Sequence, residues 1–525
     1  MRDFQAPGRS STFATEGMCA TSHPLGAQTA LEVLKRGGNA MDAAIAGALV
    51  LGICEPQMTG IGGDCFVLWT PPGSNEIKAL NGSGRAPAAA SAAALRARGE
   101  RVVPVRGIEA VTVPGAIDAF CHLSETVGKL GIDALVQPAI HYAEAGVPAA
   151  SRVAFDWPLD APFLKGSARR FFLKDDKPLT TGQIFRAPGQ AEVLRRIALQ
   201  GRDGFYAGEV AQDMVDSLNA LGGVHAMDDF AATACTPSDP VSGPYRGIEL
   251  VEHAPNGQGA TAILLLNILA HFDIAGMDPF GAERLHIETE ASKLAYDARN
   301  RFIADPDHTA RLQHMLAPET AAKLAALIDP KTAMAQAAPL TEAIHRDTIY
   351  ITVVDRDRMV VSLIYSIFHG FGSGFASDKF GILFQNRGAG FTLEEGHPNE
   401  MNGGKRPMHT IIPGMLRENG RVLMPFGVMG GAYQPTGHAR LVSNLVDCGM
   451  ELQAAIDAPR AFPEGGVLKI ERGYSEKTRA ELEALGHKLE LPEKPLGGAQ
   501  AIRIGEDGVL EGGSDPRKDG CALGY

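Results

Sequence analysis

The sequence predicts a large fold in which α-helices and β-strands are mixed. Its 525 residues exceed what one hydrophobic core usually organises, so a large domain or two closely packed layers are expected. Residues 347–355 alternate a β-branched apolar face with a mixed face, which is the period of a β-strand. Residues 281–303 instead follow the period of a long amphipathic helix.

The first half of the chain contains several helical patterns around three short strands. A helix runs to Lys35, Gly37-Gly38-Asn39 ends it, and an apolar helix rich in small residues follows over residues 40–54. The remaining patterns predict strands at residues 65–70, 107–114 and 248–252, and helices at residues 115–130, 133–145, 191–200, 210–221 and 259–272.

An alanine-rich stretch, residues 317–344, separates the long helix from the strand at residues 347–355. We expect a helix followed by a loose connector that ends at Asp347. Further on, the patterns predict strands at residues 410–415, 421–428, 467–471 and 499–504, and helices at residues 437–446, 451–458 and 475–485.

Residues 355–358, Asp-Arg-Asp-Arg, separate the strand that begins at Thr348 from a second β-rich run at residues 359–366. This pattern predicts a β-hairpin. With a loop of two or four residues Thr348 pairs with Tyr365, and with a loop of three residues it pairs with Ser366. Either register places the Ser366 hydroxyl near Thr348.

Composition argues against several classes of protein. A net charge of −12 and a pI near 5.7 disfavour nucleic acid and anionic membranes as partners. Seven scattered cysteines without a CxxC pair resemble neither a zinc site nor a disulfide framework, so no metal or other cofactor is expected. The N-terminus lacks the apolar core of a signal peptide, and the longest apolar run, residues 43–53, is too short to cross a bilayer. We therefore expect a cytoplasmic protein.

Five stretches of the chain form a recognisable series. They are the glycine-rich turn at residues 58–64, the Glu-Ala-Ser-Lys-Leu-Ala-Tyr helix at residues 290–296, the strand beginning at Thr348, Gly430-Gly431, and the ending in Ser-Asp-Pro-Arg and Gly-Tyr. The glycine-rich turn by itself has neither P-loop nor Rossmann spacing, so tight backbone packing is favoured over phosphate binding.

Together these stretches resemble the γ-glutamyltranspeptidase family of N-terminal-nucleophile hydrolases, over residues 19–525. The resemblance implies an α+β fold, a four-layer αββα sandwich of two stacked antiparallel sheets covered by helices. It also implies self-cleavage between Asp347 and Thr348. Residues 1–347 would then form a large subunit and residues 348–525 a small one, held together as one intimately packed globular unit.

The resemblance makes Thr348 the catalytic nucleophile. An alcohol needs a base, and the free α-amine of an N-terminal threonine, with a pKa of roughly 7.7 to 8, can accept and return a proton. By the same resemblance Ser366 assists the nucleophile, and the backbone N–H groups of Gly430 and Gly431 form the oxyanion hole. A buried strand threonine without chemistry is the alternative for Thr348.

The substrate pocket departs from the family pattern. Phe368 replaces an asparagine, Arg387 replaces an amide or acid, and Gly390 replaces an aspartate. A cation where a substrate ammonium should sit repels it. Arg387 is instead suited to grip a carboxylate with two hydrogen bonds, and Phe368 to shorten the cavity. A surface position for Arg387 is the alternative.

The other predicted substrate-binding residues are His369, His409, Thr410 and Arg85. His409 and Thr410 replace the family's paired serines. The family's carboxylate-binding arginine aligns on Ser83, with Arg85 two places away.

This pocket pattern resembles the oxamate amidohydrolase branch, which converts oxamate to oxalate and ammonia in purine-nitrogen salvage. We therefore expect a self-processing amidohydrolase of a small carboxylic-acid amide. Two alternatives remain open: a γ-glutamyl hydrolase, transpeptidase or cephalosporin-type acylase, and an unprocessed, non-catalytic binding protein. The expected partners are a small-molecule amide and the two subunits from one precursor, with a homo-oligomer of processed heterodimers left open.

Overall fold

The computed structural model describes residues 5, 8–334 and 348–525, and two seven-stranded β-sheets lie at its centre. Within the described residues the strands are β1 Thr12–Ala14, β2 Met18–Thr21, β3 Asp64–Thr70, β4 Lys78–Gly82, β5 Val147–Pro148, β6 Ile184–Phe185, β7 Thr236–Ser238, β8 Val241–Tyr245, β9 Ile248–Glu252, β10 Ile349–Val354, β11 Val360–Ser366, β12 Gly414–Glu418, β13 Arg421–Met429, β14 Ala461–Glu464, β15 Val467–Ile470, β16 Leu489–Glu490, β17 Gly498–Ile504, β18 Leu510–Ser514 and β19 Cys521–Gly524.

Helices cover both sheets. In the same described residues they are α1 Pro24–Lys35, α2 Ala40–Cys54, α3 Ala92–Ala97, α4 Ala116–Thr126, α5 Ile132–Leu135, α6 Gln137–Ala145, α7 Ser151–Asp160, α8 Ser167–Phe172, α9 Pro188–Gln200, α10 Asp203–Tyr206, α11 Gly208–Ala220, α12 Met227–Ala231, α13 Gly259–Leu269, α14 Ala282–Phe302, α15 Leu312–Leu316, α16 Pro318–Ala325, α17 Gln434–Val446, α18 Leu452–Asp457 and α19 Glu476–Ala484. None of these helices is long and apolar enough to cross a membrane.

The two sheets are antiparallel and stacked. The first has the order β1-β18-β17-β13-β12-β9-β8 and the second β19-β2-β10-β11-β3-β4-β7. Apolar side chains from both sheets fill the layer between them, among them Leu68 and Val354 from the second sheet and Met415 and Ile502 from the first. Separate apolar clusters join each sheet's outer face to its helices. The predicted four-layer αββα sandwich is confirmed.

Helix α2 fixes the strand that follows Thr348. Asn39 and Asp42 cap its N-terminus reciprocally, and every residue from Ala40 to Cys54 is buried. A Cβ at Gly47 would lie 2.5 Å from Cδ1 of Ile351, so only glycine allows this close approach to β10. The Asp355 carboxylate, in the hairpin turn, accepts the N–H of Ala40 at 2.9 Å and ties the turn to the helix N-terminus.

The β10–β11 hairpin decides which residue faces Thr348. Val354 pairs with Val360 and Ile349 with Tyr365, while the N–H of Asp355 donates to the carbonyl of Met359 at 3.2 Å. Three residues therefore form the loop, and this register places Thr348 opposite Ser366. Of the two predicted registers, the one with a three-residue loop is confirmed.

One predicted strand is absent, and two other predicted elements have different bounds. Residues 107–114 are not a strand: Ile108–Ala110 is a 3₁₀ turn, closed by the N–H of Val111, and the buried apolar residues mimicked a strand pattern. At residues 410–415 the strand begins only at Gly414, because side chains bind the preceding backbone, such as Gln434 Oε1 at the N–H of Ile412. The helix predicted for residues 115–130 ends at Thr126.

The predicted helix in the alanine-rich stretch is present as α16. Positions 335–347 of the connector predicted after it, including Asp347, lie outside the described residues.

Candidate active site

Thr348 directly precedes β10 and is 1 % exposed. Its Oγ1 donates to Oγ of Ser366 on the neighbouring strand at 3.2 Å. The next strand, β3, pairs Ser366 with Asp64. Thr348, Ser366 and Asp64 therefore form one row across three adjacent strands, and residues directly opposite in an antiparallel ladder project on the same face.

The Ser366 hydroxyl joins the threonine to a buried cation. Its Oγ accepts Nη2 of Arg387 at 3.1 Å and the backbone N–H of Phe368 at 2.9 Å. One oxygen thus contacts the Thr348 hydroxyl, the guanidinium and a backbone donor. This arrangement holds the Thr348 side chain in a defined rotamer next to a positive charge.

Arg387 is among the largest fully buried side chains of the protein. Nη1 donates to Oγ1 of Thr410 at 2.8 Å, and the guanidinium lies 4.1 Å from the centre of the Phe368 ring. The residue opens a short 3₁₀ turn, in which Gly388 passes so close to Ala110 that a Cβ would lie 2.8 Å from the Ala110 carbonyl oxygen. The predicted alternative of a surface position for Arg387 is thereby wrong.

Phe368 and His369 form the wall beside the guanidinium. Phe368 has a φ angle of +85°, a value that residues other than glycine rarely adopt. In this conformation the backbone N–H of Phe368 donates to Oγ of Ser366. Its ring meets the His369 ring edge-on at 4.4 Å between centres. The His369 ring is held by Asn386, whose Nδ2 lies 2.8 Å from Nδ1.

His409 and Asp64 form a second buried pair in the site, and both are fully buried. Nε2 of His409 lies 3.1 Å from Oδ2 of Asp64. Burial first, and then the positive charge of Arg387, lower the pKa of His409 to about 3. His409 is therefore neutral at physiological pH.

Asp64 was not among the predicted site residues. Its only signal in the sequence is an acid at the end of a glycine-rich turn, directly before a buried strand. A carboxylate in such a place needs donors, which the sequence does not reveal because they are remote.

Gly430 and Gly431 follow β13, whose last residue, Met429, packs in one cluster with Tyr350 and Ile364. Their φ angles are +121° and +56°, in the region that favours glycine. A Cβ at Gly430 would lie 2.9 Å from Cα of Gly497. The predicted oxyanion glycines thus lie on a turn that requires glycine, beside the Thr348 hairpin, and their role stays a prediction.

Arg85 lies in different surroundings. Its side chain is 40 % exposed, with Nη1 donating to the carbonyl of Gly404 at 2.9 Å and lying 3.5 Å from a carboxylate oxygen of Asp305. Ser83, at the family's arginine position, is hydrogen-bonded to Asn81 and Asn256 instead. A substrate contact for Arg85 stays a prediction.

One group of metal-ligating side chains occurs in the described part of the chain, formed by His286, Glu290 and His487. Each already has partners. Nδ1 of His286 lies 2.8 Å from Nε2 of His487, and the Lys293 ammonium donates to Glu290 at 2.7 Å. An ammonium this close to the Glu290 carboxylate already pairs with it and would repel a metal ion.

The γ-glutamyltranspeptidase family profile matches residues 26–525. The chain belongs to this family. A glutathione hydrolase-like YwrD proenzyme from Bacillus subtilis is 33 % identical, with 98 % of this chain and 99 % of that protein covered. An oxamate amidohydrolase proenzyme from Klebsiella pneumoniae is 34 % identical, with 98 % and 100 % covered.

The crystal structure of a cephalosporin acylase from Bacillus halodurans superposes with a TM-score of 0.92 at 35 % identity, over 100 % of this chain and 99 % of that one. These γ-glutamyltranspeptidase relatives are named as hydrolases or acylases, and several as proenzymes. The chain is accordingly a hydrolase of this family made as a proenzyme. Because the three identities are so similar, identity alone does not choose a substrate among them.

Proposed function

We propose that this protein is a self-processing threonine amidohydrolase that acts on the amide of a short carboxylic acid, with oxamate as the best candidate. One observation carries the proposal. Oγ1 of Thr348 and Nη2 of Arg387 both bond to Oγ of Ser366, so the nucleophile and the guanidinium are at most two hydrogen-bond lengths apart.

This spacing favours a short substrate. A carboxylate bound by Arg387 lies close to the Thr348 hydroxyl, so the carbonyl under attack must follow the carboxylate almost directly. In oxamate the carboxylate is bonded to the amide carbon itself. In a γ-glutamyl compound two methylene groups and the α-carbon separate them, so a carboxylate bound by Arg387 would hold the carbonyl farther from the guanidinium than in oxamate.

Charge favours the same class. Buried guanidinium groups bind carboxylates with two charge-assisted hydrogen bonds. An α-ammonium would instead meet the positive Arg387 beside the Phe368 ring. At Gly390, the family's aspartate position, a Cβ would lie 2.4 Å from the Met408 carbonyl oxygen, so a larger residue does not fit there.

The chemistry follows from a free Thr348. Cleavage after Asp347 gives residues 1–347 and 348–525, and the new α-amine takes the proton as the Thr348 oxygen attacks the amide carbon. The N–H groups of Gly430 and Gly431 bind the resulting oxyanion. The C–N bond breaks, the amine returns the proton and ammonia leaves. Water then hydrolyses the acyl-threonine and releases the dicarboxylate.

Two measurements test this proposal in sequence. Intact-mass analysis of purified protein should show two fragments that divide between Asp347 and Thr348. The processed enzyme should then release ammonia from oxamate and little or no p-nitroaniline from γ-glutamyl-p-nitroanilide. We expect kcat/KM for oxamate to exceed kcat/KM for the γ-glutamyl compound by a factor of roughly 10⁴ or more.

The results distinguish the proposed function from its two alternatives. Robust γ-glutamyl transfer, or hydrolysis of a cephalosporin side chain in preference to oxamate, would assign the protein to the acylase alternative. A chain that stays whole after long incubation would support the non-catalytic binding protein.

A further inference from the structure

The Asp64 carboxylate has four hydrogen-bond partners within the protein. Oδ1 accepts the N–H groups of Gly84 at 2.8 Å and Gly115 at 3.1 Å, and Nε2 of Gln385 at 2.9 Å. Oδ2 faces Nε2 of His409 at 3.1 Å. Three of these donors share Oδ1 and one faces Oδ2, so both oxygens of the buried carboxylate are held by the protein.

The partner of Oδ2 is fixed in its protonation. An ionised carboxylate can only accept, so Nε2 of His409 carries the proton and Nδ1 carries the lone pair. Nδ1 lies 3.4 Å from the N–H of Ile411, which agrees with this tautomer. His409 is flanked in the chain by Thr410, whose hydroxyl accepts Nη1 of Arg387.

Asp64 also contacts residues from both of the proposed subunits. Gly84 and Gly115 precede the proposed cleavage site, whereas Gln385 and His409 follow it. Because Asp64 pairs with Ser366 in the β3–β11 ladder, this junction lies in the same row as the nucleophile.

We propose that Asp64 is a positioning residue that fixes the tautomer of His409, and that it is not a ligand for a substrate ammonium. The inference deepens the proposed function and rests on it for the substrate. Because Asp64 is fully buried and both its oxygens already accept protein donors, a substrate ammonium would have to compete with those donors. This arrangement favours monoanionic amide acids that lack an α-ammonium group.

Asp64→Asn tests the proposal with little change in shape. The asparagine oxygen can still accept the two glycine N–H groups, but its NH₂ would face the N–H of His409 and force the other tautomer. We expect KM for oxamate to rise by about 10-fold or more while self-cleavage continues. In the enzyme labelled with ¹⁵N-histidine and free of substrate, the His409 signals should move to the Nδ1–H pattern, with His409→Gln providing the assignment.

Controls separate position from fold. Asp229→Asn changes a carboxylate that likewise accepts backbone N–H groups, from Ala88 and Ala226, and should leave KM and the His409 signals unchanged. If Asp64→Asn does not fold, His409→Gln and His409→Leu decide. Glutamine keeps an N–H donor for Asp64 and should retain most activity, whereas leucine should lose it.

Unchanged KM and unchanged His409 signals in folded Asp64→Asn would overturn the inference, as would equal losses in His409→Gln and His409→Leu. A γ-glutamyl activity of the wild type that Asp64→Asn selectively removes would make Asp64 an ammonium ligand and also overturn it. A wild type that ignores oxamate would contradict the proposed function, but the tautomer of His409 would still judge the role of Asp64.

Discussion

Two arginines predicted for the same task, Arg387 and Arg85, lie in opposite surroundings. Arg387 is fully buried, bonded to Ser366 and Thr410, and stacked on Phe368. Arg85 is 40 % exposed and lies beside a backbone carbonyl and the Asp305 carboxylate. Burying a guanidinium costs free energy unless strong partners offset it, whereas a rim arginine costs almost nothing.

The difference shows what makes a substrate-binding cation. Closeness in sequence to a family position, as for Arg85, does not by itself bury a side chain. Arg387 is buried and bonds to the hydroxyl that Thr348 also bonds, which places it next to the predicted nucleophile. The kinetic predictions below test this contrast in order of expected size.

Thr348→Ala should have the largest effect, because it removes the nucleophile of both self-cleavage and turnover. Intact-mass analysis should show one uncleaved chain, and ammonia release should fall to background. Thr348→Ser is the matched control, since it keeps a hydroxyl, and it should retain part of each activity. Near wild-type turnover by purified Thr348→Ala would mean that Thr348 is not the nucleophile, and that the position of Arg387 next to it does not explain substrate binding.

Arg387→Ala should lower kcat/KM for the short acid by an amount equivalent to about 2 to 4 kcal/mol of transition-state stabilisation. The reason is that it removes a desolvated partner of the substrate carboxylate. Arg387→Lys keeps the charge but not the planar fork, so its loss should be intermediate. Steady-state kinetics on variants with normal cleavage and unfolding midpoints make the measurement.

Arg85→Ala is the matched partner of that experiment. A half-exposed ion pair contributes little, so we expect a change of about 0.5 kcal/mol or less in kcat/KM. Equal losses in the Arg85 and Arg387 variants would remove the contrast between the two side chains.

A further expected effect concerns acid stability. The pKa of His409 is about 3 in the folded protein against 6.5 for the free side chain, because burial and Arg387 disfavour the charged ring. The unfolded chain therefore binds more protons between these values. The His409 contribution to the free energy of unfolding falls as pH drops through this window, by about 1.4 kcal/mol per pH unit.

Arg387→Ala removes one cause of the lowered His409 pKa, so the pKa in the folded protein should rise toward 6.5. The pH range over which His409 affects stability should then begin at a higher pH, whereas Arg85→Ala should leave this range unchanged. Urea unfolding across the window, in the uncleaved Thr348→Ala background, would show the difference. A steeper acid loss in Arg387→Ala than in its background would contradict the assigned cause.

Local patterns predicted much of the fold. The apolar helix at residues 40–54 and the strand at residues 248–252 were predicted with their observed bounds. The hairpin placed Ser366 near Thr348, but only the loop geometry could choose the register. Residues 107–114 were misread because a buried irregular segment has the same apolar pattern as a strand.

The site was predictable only where residues carry chemistry by type. Thr348, Ser366, Arg387 and Thr410 were predicted and lie in one hydrogen-bonded chain. The burial of Arg387 and the role of Asp64 depend on partners far away in the sequence, such as Gly115 and Gln385. No local pattern encodes such contacts.

The central claim is that Arg387 lies too close to Thr348 for a long acid. The most direct test is kcat/KM of the processed enzyme for oxamate, malonamate and succinamate, which differ by one methylene each. The account predicts the highest value for oxamate, a fall of roughly 10-fold or more per methylene, and a flatter series in Arg387→Ala. A value that rises with chain length would contradict it.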